Sequence, residues 1–257
     1  MNETLLTISS LRTVHGQFSE RKITEDDLNT IIDASLKAAN ASARQSYAII
    51  VSDDRKKMRD LFAYEGSHAL VYCVDFTRLD QLAAHTGHKF NSTDIIGFTT
   101  GTMDAMLAAQ TAVIAAKSLG IDSLITNALH RKNLDAVYEL LGLPKTSCFP
   151  LIAIIFGYSA KEKDQKKGRL SRQYLVHRER YQPLTNTQLD QIVKEYDDSR
   201  LNIGLMANWE KLGFQHYLDW FFTKWCEKPP KRDVAEGRVL EFQKRLRDSG
   251  FWFPMKE

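Results

Sequence analysis

The chain has 257 residues, 43% of them hydrophobic, enough to bury a substantial core in one large domain or in one domain with an appendage. Its formal net charge of +3, from 35 basic and 32 acidic residues, is too small to point to nucleic acid as a main partner. The three cysteines lack CxxC spacing, the histidines lack HxxxH or HExxH spacing, and no apolar run reaches the roughly 18 residues of a membrane span, so a cytoplasmic protein without disulfides, metal or membrane partner is predicted.

In chain order, ITEDDLNTIIDASLKAA has Thr24 and Asp27 at capping-box spacing, and Leu28, Ile31, Ile32, Ser35 and Leu36 on one face, which predicts a helix over 25–39. Residues 47–52 read as a buried strand, DDRKKMRDLF as a helix ending near Phe62, and 69–76 as a second strand. The strongest helix is 102–119, rich in alanine, with bulk from Met106, Val113 and Ile114 and an end at Gly120. Its small residues predict a central, buried element. Asp104 reads as a first-turn carboxylate favoured by the helix dipole.

Residues 122–126 form a short predicted strand and 132–141 a helix stopped by Gly142 and Pro144. FPLIAIIFGY at 149–158 is too apolar for a half-exposed strand and belongs in the middle of a sheet. Strands separated by helices imply a layered core with helices on both faces. After Pro183 three helical segments follow, and the aromatic run from His216 to Trp225 reads as core or subunit packing. Cys148 and Cys226 read as packing residues.

Two cationic groups stand far apart, LRTVHGQF at 11–18 and KKGRL at 166–170. With no glycine-rich phosphate loop in the chain, a nucleotide would have to be held by side chains of this kind. Between Lys161 and Arg180 eight Lys or Arg face only Glu162, Asp164 and Glu179.

The order LRTVHGQF, NASARQSY, DAMLAAQTAVIAAKSLGIDSL, ELLGLP, FPLIAIIFGY, KKGRLS and VHRERYQPL resembles the flavin-dependent nitroreductase family, nearest its NADPH-preferring, oxygen-insensitive branch. The resemblance implies an α+β, nitroreductase-like fold in which a central mixed β-sheet is flanked by helices. It implies an FMN-binding domain over 1–184 and a helical C-terminal extension over 185–257. It further implies a homodimer with FMN at each subunit interface. The activity implied is an FMN-dependent NAD(P)H oxidoreductase, passing hydride by a ping-pong mechanism to small nitroaromatic, quinone or flavin-type acceptors. Alternatives on the same fold are reductive dehalogenation, flavin fragmentation, or FMN binding without turnover.

By the same resemblance, Arg12 and Thr13 match the family's phosphate-gripping motif, with Leu11 departing from it and His15 in place of Arg or Lys. Lys167 and Arg169 match the second phosphate motif, with Gly168 in place of proline. Ser42 and Gln45 are implied as donors to flavin or ribityl oxygens on the other subunit's flavin, with Arg44 either beside them or a surface cation. Tyr64, Glu65 and Gly66 replace a flavin-ring Asn or Gln. Thr126 and Asn127 replace a glycine pair at the flavin edge, and Asn127 is expected to supply the positive φ of that turn. No catalytic acid is expected, because a flavin carries the electrons itself.

Overall fold

A computed structural model describes residues 2–91, 93–161, 166–226 and 232–252. The chain forms two compact units, Met1–Lys161 with Glu236–Glu257, and Glu162–Ala235. The expected boundary at Leu184 falls inside the second unit.

The first unit contains helices α1 (Glu3–Ser10) and α2 (Glu25–Ser35), strand β1 (Tyr47–Ser52), α3 (Arg55–Phe62), β2 (His68–Asp75), α4 (Thr77–His85), α5 (Ile95–Ser118), β3 (Asp122–Thr126), α6 (Leu134–Leu141) and β4 (Cys148–Gly157). The second contains α7 (Asn186–Asp197) and α8 (Tyr217–Trp220), which runs on into a π-helical turn at Phe221–Cys226. Helix α9 (Arg232–Asp248) follows and returns the chain to the first unit. Neither α1 nor α4 is anticipated by the sequence reading. Glu162, Lys163 and Asp164 of the charged stretch, and Glu227 and Lys228 at the end of the aromatic segment, lie outside the described residues.

The sheet has the order β1-β2-β4-β3 with every named pair antiparallel, and a parallel bridge between Thr13 and Ser123 adds the N-terminal loop beside β3. Every residue of β2 is buried, as a central strand requires. Pairing of β2 with β4 shifts register after Tyr72, where Cys73 faces Pro150; proline has no ladder N–H to give, so the irregularity sits where it costs least.

Alternation along the strands divides the core into two layers. Ala69, Val71 and Cys73 of β2 and Ala153 and Ile155 of β4 pack against Met58, Leu61 and Phe62 of α3 and Val137 and Tyr138 of α6. Leu70 and Tyr72, with Ile154 and Phe156, pack against α2 and the alanine face of α5. Helices therefore cover both faces, as expected. Ser35 closes the contact of α2, α5 and β2, donating to the Ala108 carbonyl at 2.9 Å and pairing with the Tyr72 hydroxyl at 2.9 Å. Burial pushes the Tyr72 phenol up to about 12.

Helix α5 departs from expectation in two ways. It starts at Ile95, capped by Asp94, whose Oδ1 accepts from the Gly97 N–H at 2.7 Å, so Asp104 lies well inside the helix and not in its first turn. Only one face is buried: Gly101, Ala105, Ala108 and Ala112 point into the core, whereas Ile96, Met103, Met106 and Leu107 are exposed.

In the second unit Trp209, Tyr217 and Trp220 form a small core, with Tyr196 stacked on Tyr217 at 5.4 Å. Phe222 and Trp225 of the aromatic run are exposed, and so is Cys226, which corrects its reading as a packing residue; Cys148 is buried as expected. No helix among the described residues is long and apolar enough to cross a membrane.

Candidate functional site

The N-terminal loop 11–18 is held to the sheet by backbone first. Val14 N–H donates to the Ser123 carbonyl at 3.1 Å, and Phe18 bridges to Ser159. Val14 and Phe18 are buried, whereas Thr13 and His15 are exposed. Arg12 lies against Asp122 at the start of β3, with Nε donating to Oδ1 at 2.9 Å and Nη2 to Oδ2 at 2.7 Å. This is the bidentate fork that fixes a guanidinium plane. Lys117 at the end of α5 donates to the same carboxylate at 3.1 Å. Burial pulls the Asp122 carboxyl up, yet the hydrogen bonds and charges of Arg12 and Lys117 overcome it and hold the group below the ordinary carboxylate value. Nothing local in the sequence signals Asp122, because it stands 110 residues from Arg12.

Tyr64 joins this loop. Its ring lies 6.3 Å from that of His15, and a Cβ on Gly16, which has a φ of +67°, would stand 3.1 Å from its Cδ1. Of the replacements weighed in 64–66, Tyr64 is the one brought beside the cationic loop. Glu65 instead pairs with Arg55 and Arg59. Gly66 is demanded by packing, since a Cβ there would meet the Phe156 carbonyl oxygen at 2.6 Å.

Thr126 and Asn127 lie at the far end of β3, about 10 Å along the strand from Ser123 at its normal rise. Asn127 has a φ of −101°, so the expected left-handed turn is not formed. The turn is made instead by the Thr126 hydroxyl, which accepts from the Ala128 N–H at 3.1 Å.

Segment 41–46 lies along α5. Ser42, Ala43 and Gln45 all have left-handed backbone, with φ of 54°, 54° and 50°. The buried Asp104 takes both ends of the segment: Oδ1 accepts from Ala41 N–H at 2.8 Å and Oδ2 from Ser46 N–H at 3.1 Å. Burial first, and the Asp104 charge second, push the Tyr47 phenol up. Among the described residues Arg44 Nε, Ser46 Oγ and Thr102 Oγ1, in this segment or on the neighbouring turn of α5, are buried without a hydrogen-bond partner. Arg44 is thus partly sunk into the segment and is not a plain surface cation.

In the second unit Lys167 donates to Asn202 Oδ1 at 3.0 Å and to the Gly204 carbonyl. Arg169 donates to the carbonyls of Lys167 and Gly168. Asn202 and Gly204 line a cavity of about 340 Å³ that Asp197, Asp198 and Glu210 also line; three carboxylates suit it poorly to a phosphate.

The chain matches the Nitroreductase family over residues 8–158. It is 30% identical to a protein named NADPH-flavin oxidoreductase from Vibrio harveyi, over 82% of this chain and 89% of that one. It is also 30% identical to FMN reductase (NADPH) from Bacillus subtilis, over 79% and 86%. Among solved structures, the Vibrio harveyi NADPH:FMN oxidoreductase complexed with NAD+ superposes with a TM-score of 0.75 at 25% identity, covering 97% of this chain and 99% of that one. A Bacteroides fragilis oxidoreductase structure reaches 0.82 at 22% identity, over 96% and 99%, and speaks for the fold alone. The match spans more than half the chain and includes the 11–18 loop, the 41–46 segment and all four strands: the chain belongs to the nitroreductase family and is an oxidoreductase of that family.

Proposed function

We propose that the protein is a cytoplasmic, homodimeric, FMN-dependent NAD(P)H oxidoreductase that passes hydride by a ping-pong cycle to small flat acceptors such as nitroaromatics, quinones or free flavin. The observation that carries this reading is the 11–18 loop, where Asp122 orients Arg12 and leaves Thr13 and His15 facing outward as donors, within a chain of this family. Cationic and hydroxyl donors suit a phosphate monoester. The exposed Ser42 hydroxyl and the half-buried Gln45 amide can donate to a ligand rich in acceptor oxygens, so the residues present fit FMN.

In this reading Arg12, Thr13 and His15 bind the phosphate. Ser42 and Gln45 donate to the flavin of the partner copy, and Thr126 and Asn127 border its edge. Bound flavin supplies the hydride acceptor and donor. The chain's own residues bind and orient it, and Tyr64 covers the loop that grips it. Asp104 and Lys117 are thirteen residues apart on α5, about 20 Å, so the 41–46 segment and the Arg12 loop serve opposite ends of that helix. A dimer in which each copy lends its 41–46 segment to the other's flavin uses both. Free Cys73 and Cys148 accord with a reducing compartment.

The test is spectroscopic. Purified protein is expected to be yellow with one FMN per chain, and its visible band to bleach anaerobically with NADPH or NADH and return on adding a nitroaromatic or quinone. A colourless protein that takes up no FMN would overturn the reading; one that binds FMN but bleaches with neither donor would leave binding without turnover.

A further inference from the structure

The carboxylate of Asp104 is an unusual object: an acid inside a helix, 1% exposed, whose two oxygens are given to backbone N–H groups of another segment. Those N–H groups belong to Ala41 and Ser46, the two ends of a tight excursion. Between them Ser42, Ala43 and Gln45 are held at positive φ without a single glycine. Left-handed backbone is unfavourable for residues with a Cβ and persists only where its surroundings impose it.

Several contacts do the imposing. Asn40 Oδ1 accepts from the Gln45 N–H at 3.2 Å, and Arg78 donates to the Gln45 carbonyl at 2.5 Å. The Ser46 carbonyl accepts from Asp75 N–H at 3.1 Å. One turn before Asp104, Gly101 leaves room for the segment, since a Cβ there would stand 2.6 Å from Val74 Cγ1 and 3.1 Å from the Ser46 carbonyl oxygen. Asp104 alone among these holds both ends at once.

We infer that Asp104 is a positioning residue, a clasp that closes the 41–46 segment so that Ser42 and Gln45 project as preformed flavin donors. The inference rests on the proposed role of Ser42 and Gln45. Without the clasp the three left-handed residues relax into the broader allowed regions, and the segment pays for ordering when the ligand binds. Preorganisation of this kind appears in affinity and not in the number of contacts.

The experiment uses the full-length protein and four substitutions, Asp104→Asn, Ala43→Gly, Ser42→Ala and Gln45→Ala. Asp104→Asn keeps one acceptor oxygen and turns the other into a donor against an N–H. Expected are faster hydrogen exchange at the Ala41 and Ser46 amides with the sheet amides still protected, and FMN affinity lower by about ten- to a hundredfold. A changed visible dichroism of the bound flavin should accompany them. Adding Ala43→Gly, which removes one left-handed penalty at an exposed residue with no assigned contact, is expected to recover part of the lost affinity.

Unchanged exchange at Ala41 and Ser46 in Asp104→Asn overturns the clasp. So does full FMN affinity in a variant whose segment has loosened while Ser42→Ala or Gln45→Ala still weakens binding. If neither Ser42→Ala nor Gln45→Ala affects FMN, the flavin role of the segment fails instead, and the exchange data report separately on the clasp. Should Asp104→Asn not fold, Gly101→Ala presses on the same segment through the Ser46 carbonyl and is expected to give the same pair of changes; normal exchange and affinity there would count against the inference.

Discussion

Arg12 and Asp122 meet as a two-bond fork, at 2.9 and 2.7 Å, across 110 residues of sequence. The carboxylate is 4% exposed and the guanidinium 24%, so the pair is fixed from the core side and open toward the surface. Lys117 completes a cluster of two cations on one anion.

Asp122→Asn leaves those two cations facing each other over a neutral amide. Breaking such a pair costs about 3–5 kcal/mol when fully buried, and partial exposure of both cations reduces this to roughly 2–3 kcal/mol. The expected result in urea is a lower midpoint with an unchanged slope, together with weaker FMN binding as Arg12 loses its orientation. The folded Asp122 carboxyl lies below its unfolded value, so its contribution is present above about pH 4 and disappears as the pH falls through the folded value. Asp122→Asn should lack that acid increment. A variant as stable as the parent at pH 7 would show that the cluster is held by packing alone.

A second pH dependence begins at milder acidity. His68 is buried and pulled down chiefly by desolvation, with Asp53 and Glu25 opposing; His130 is pulled down by burial, which outweighs the opposing hydrogen bond to the Pro150 carbonyl. The sign follows from which state takes the proton first. Above about pH 6.5 both rings are neutral folded and unfolded, and below it the unfolded chain binds protons that the folded one resists, so stability falls. Urea midpoints measured from pH 8 to pH 5.5 are expected to drop, and a His68→Gln, His130→Gln double variant to show a flatter profile. An equal slope in parent and variant would place the sensitivity elsewhere.

Gly168 stands where the family pattern has proline, yet proline is the wrong residue for this chain. The Gly168 N–H donates to the Asn202 carbonyl at 3.1 Å, and any Cβ would stand 2.0 Å from the Leu201 carbonyl oxygen. Gly168→Pro loses the bond and creates the clash, and is expected to destabilise the second unit by about 3 kcal/mol or more. Limited proteolysis should then cut within 162–235 before the sheet unit. Lys167, tied to Asn202 and Gly204, would be displaced with it. A Gly168→Pro protein that resists protease like the parent would refute the close packing at this point.

Legibility tracks how local each signal is. Strands β2 and β4 are readable because burial on both faces leaves unbroken apolar runs, and the ends of α5 and α6 because Gly120 and Gly142 take the positive φ expected of them. The start of α5 is hidden by its glycines and threonines, IIGFTTGT, which have low helix propensity and are helical here because Asp94 caps them and the core needs Gly101 small. That missed start displaced Asp104 into a first turn and concealed its grip on 41–46. Asp122 was unreadable for a different reason, since only the Thr13–Ser123 bridge brings it to Arg12. At Asn127 a side-chain turn from Thr126 replaced the backbone turn that a glycine pair would make, so a residue-for-residue substitution pointed to the wrong dihedral.

The outer face of α5 carries the last prediction. Ile96, Met103 and Leu107 recur at helical spacing and are 74%, 55% and 48% exposed, and Leu5 and Leu6 of the neighbouring α1 are about half exposed as well. Exposed apolar residues gathered on one helix face are costly to leave in water and mark an interaction face. In the proposed dimer it meets the partner copy, and each 41–46 segment then reaches the other copy's flavin. A Met103→Glu, Leu107→Glu double variant places two carboxylates in that contact without touching the buried face, where Asp104 and Ala108 point inward. Light scattering should report a monomer in place of a dimer, sheet amides should remain protected, and FMN should be lost even though no assigned flavin ligand has changed. A variant that stays dimeric and keeps its FMN would move the interface off this helix and remove the reason for assigning Ser42 and Gln45 to a partner's flavin.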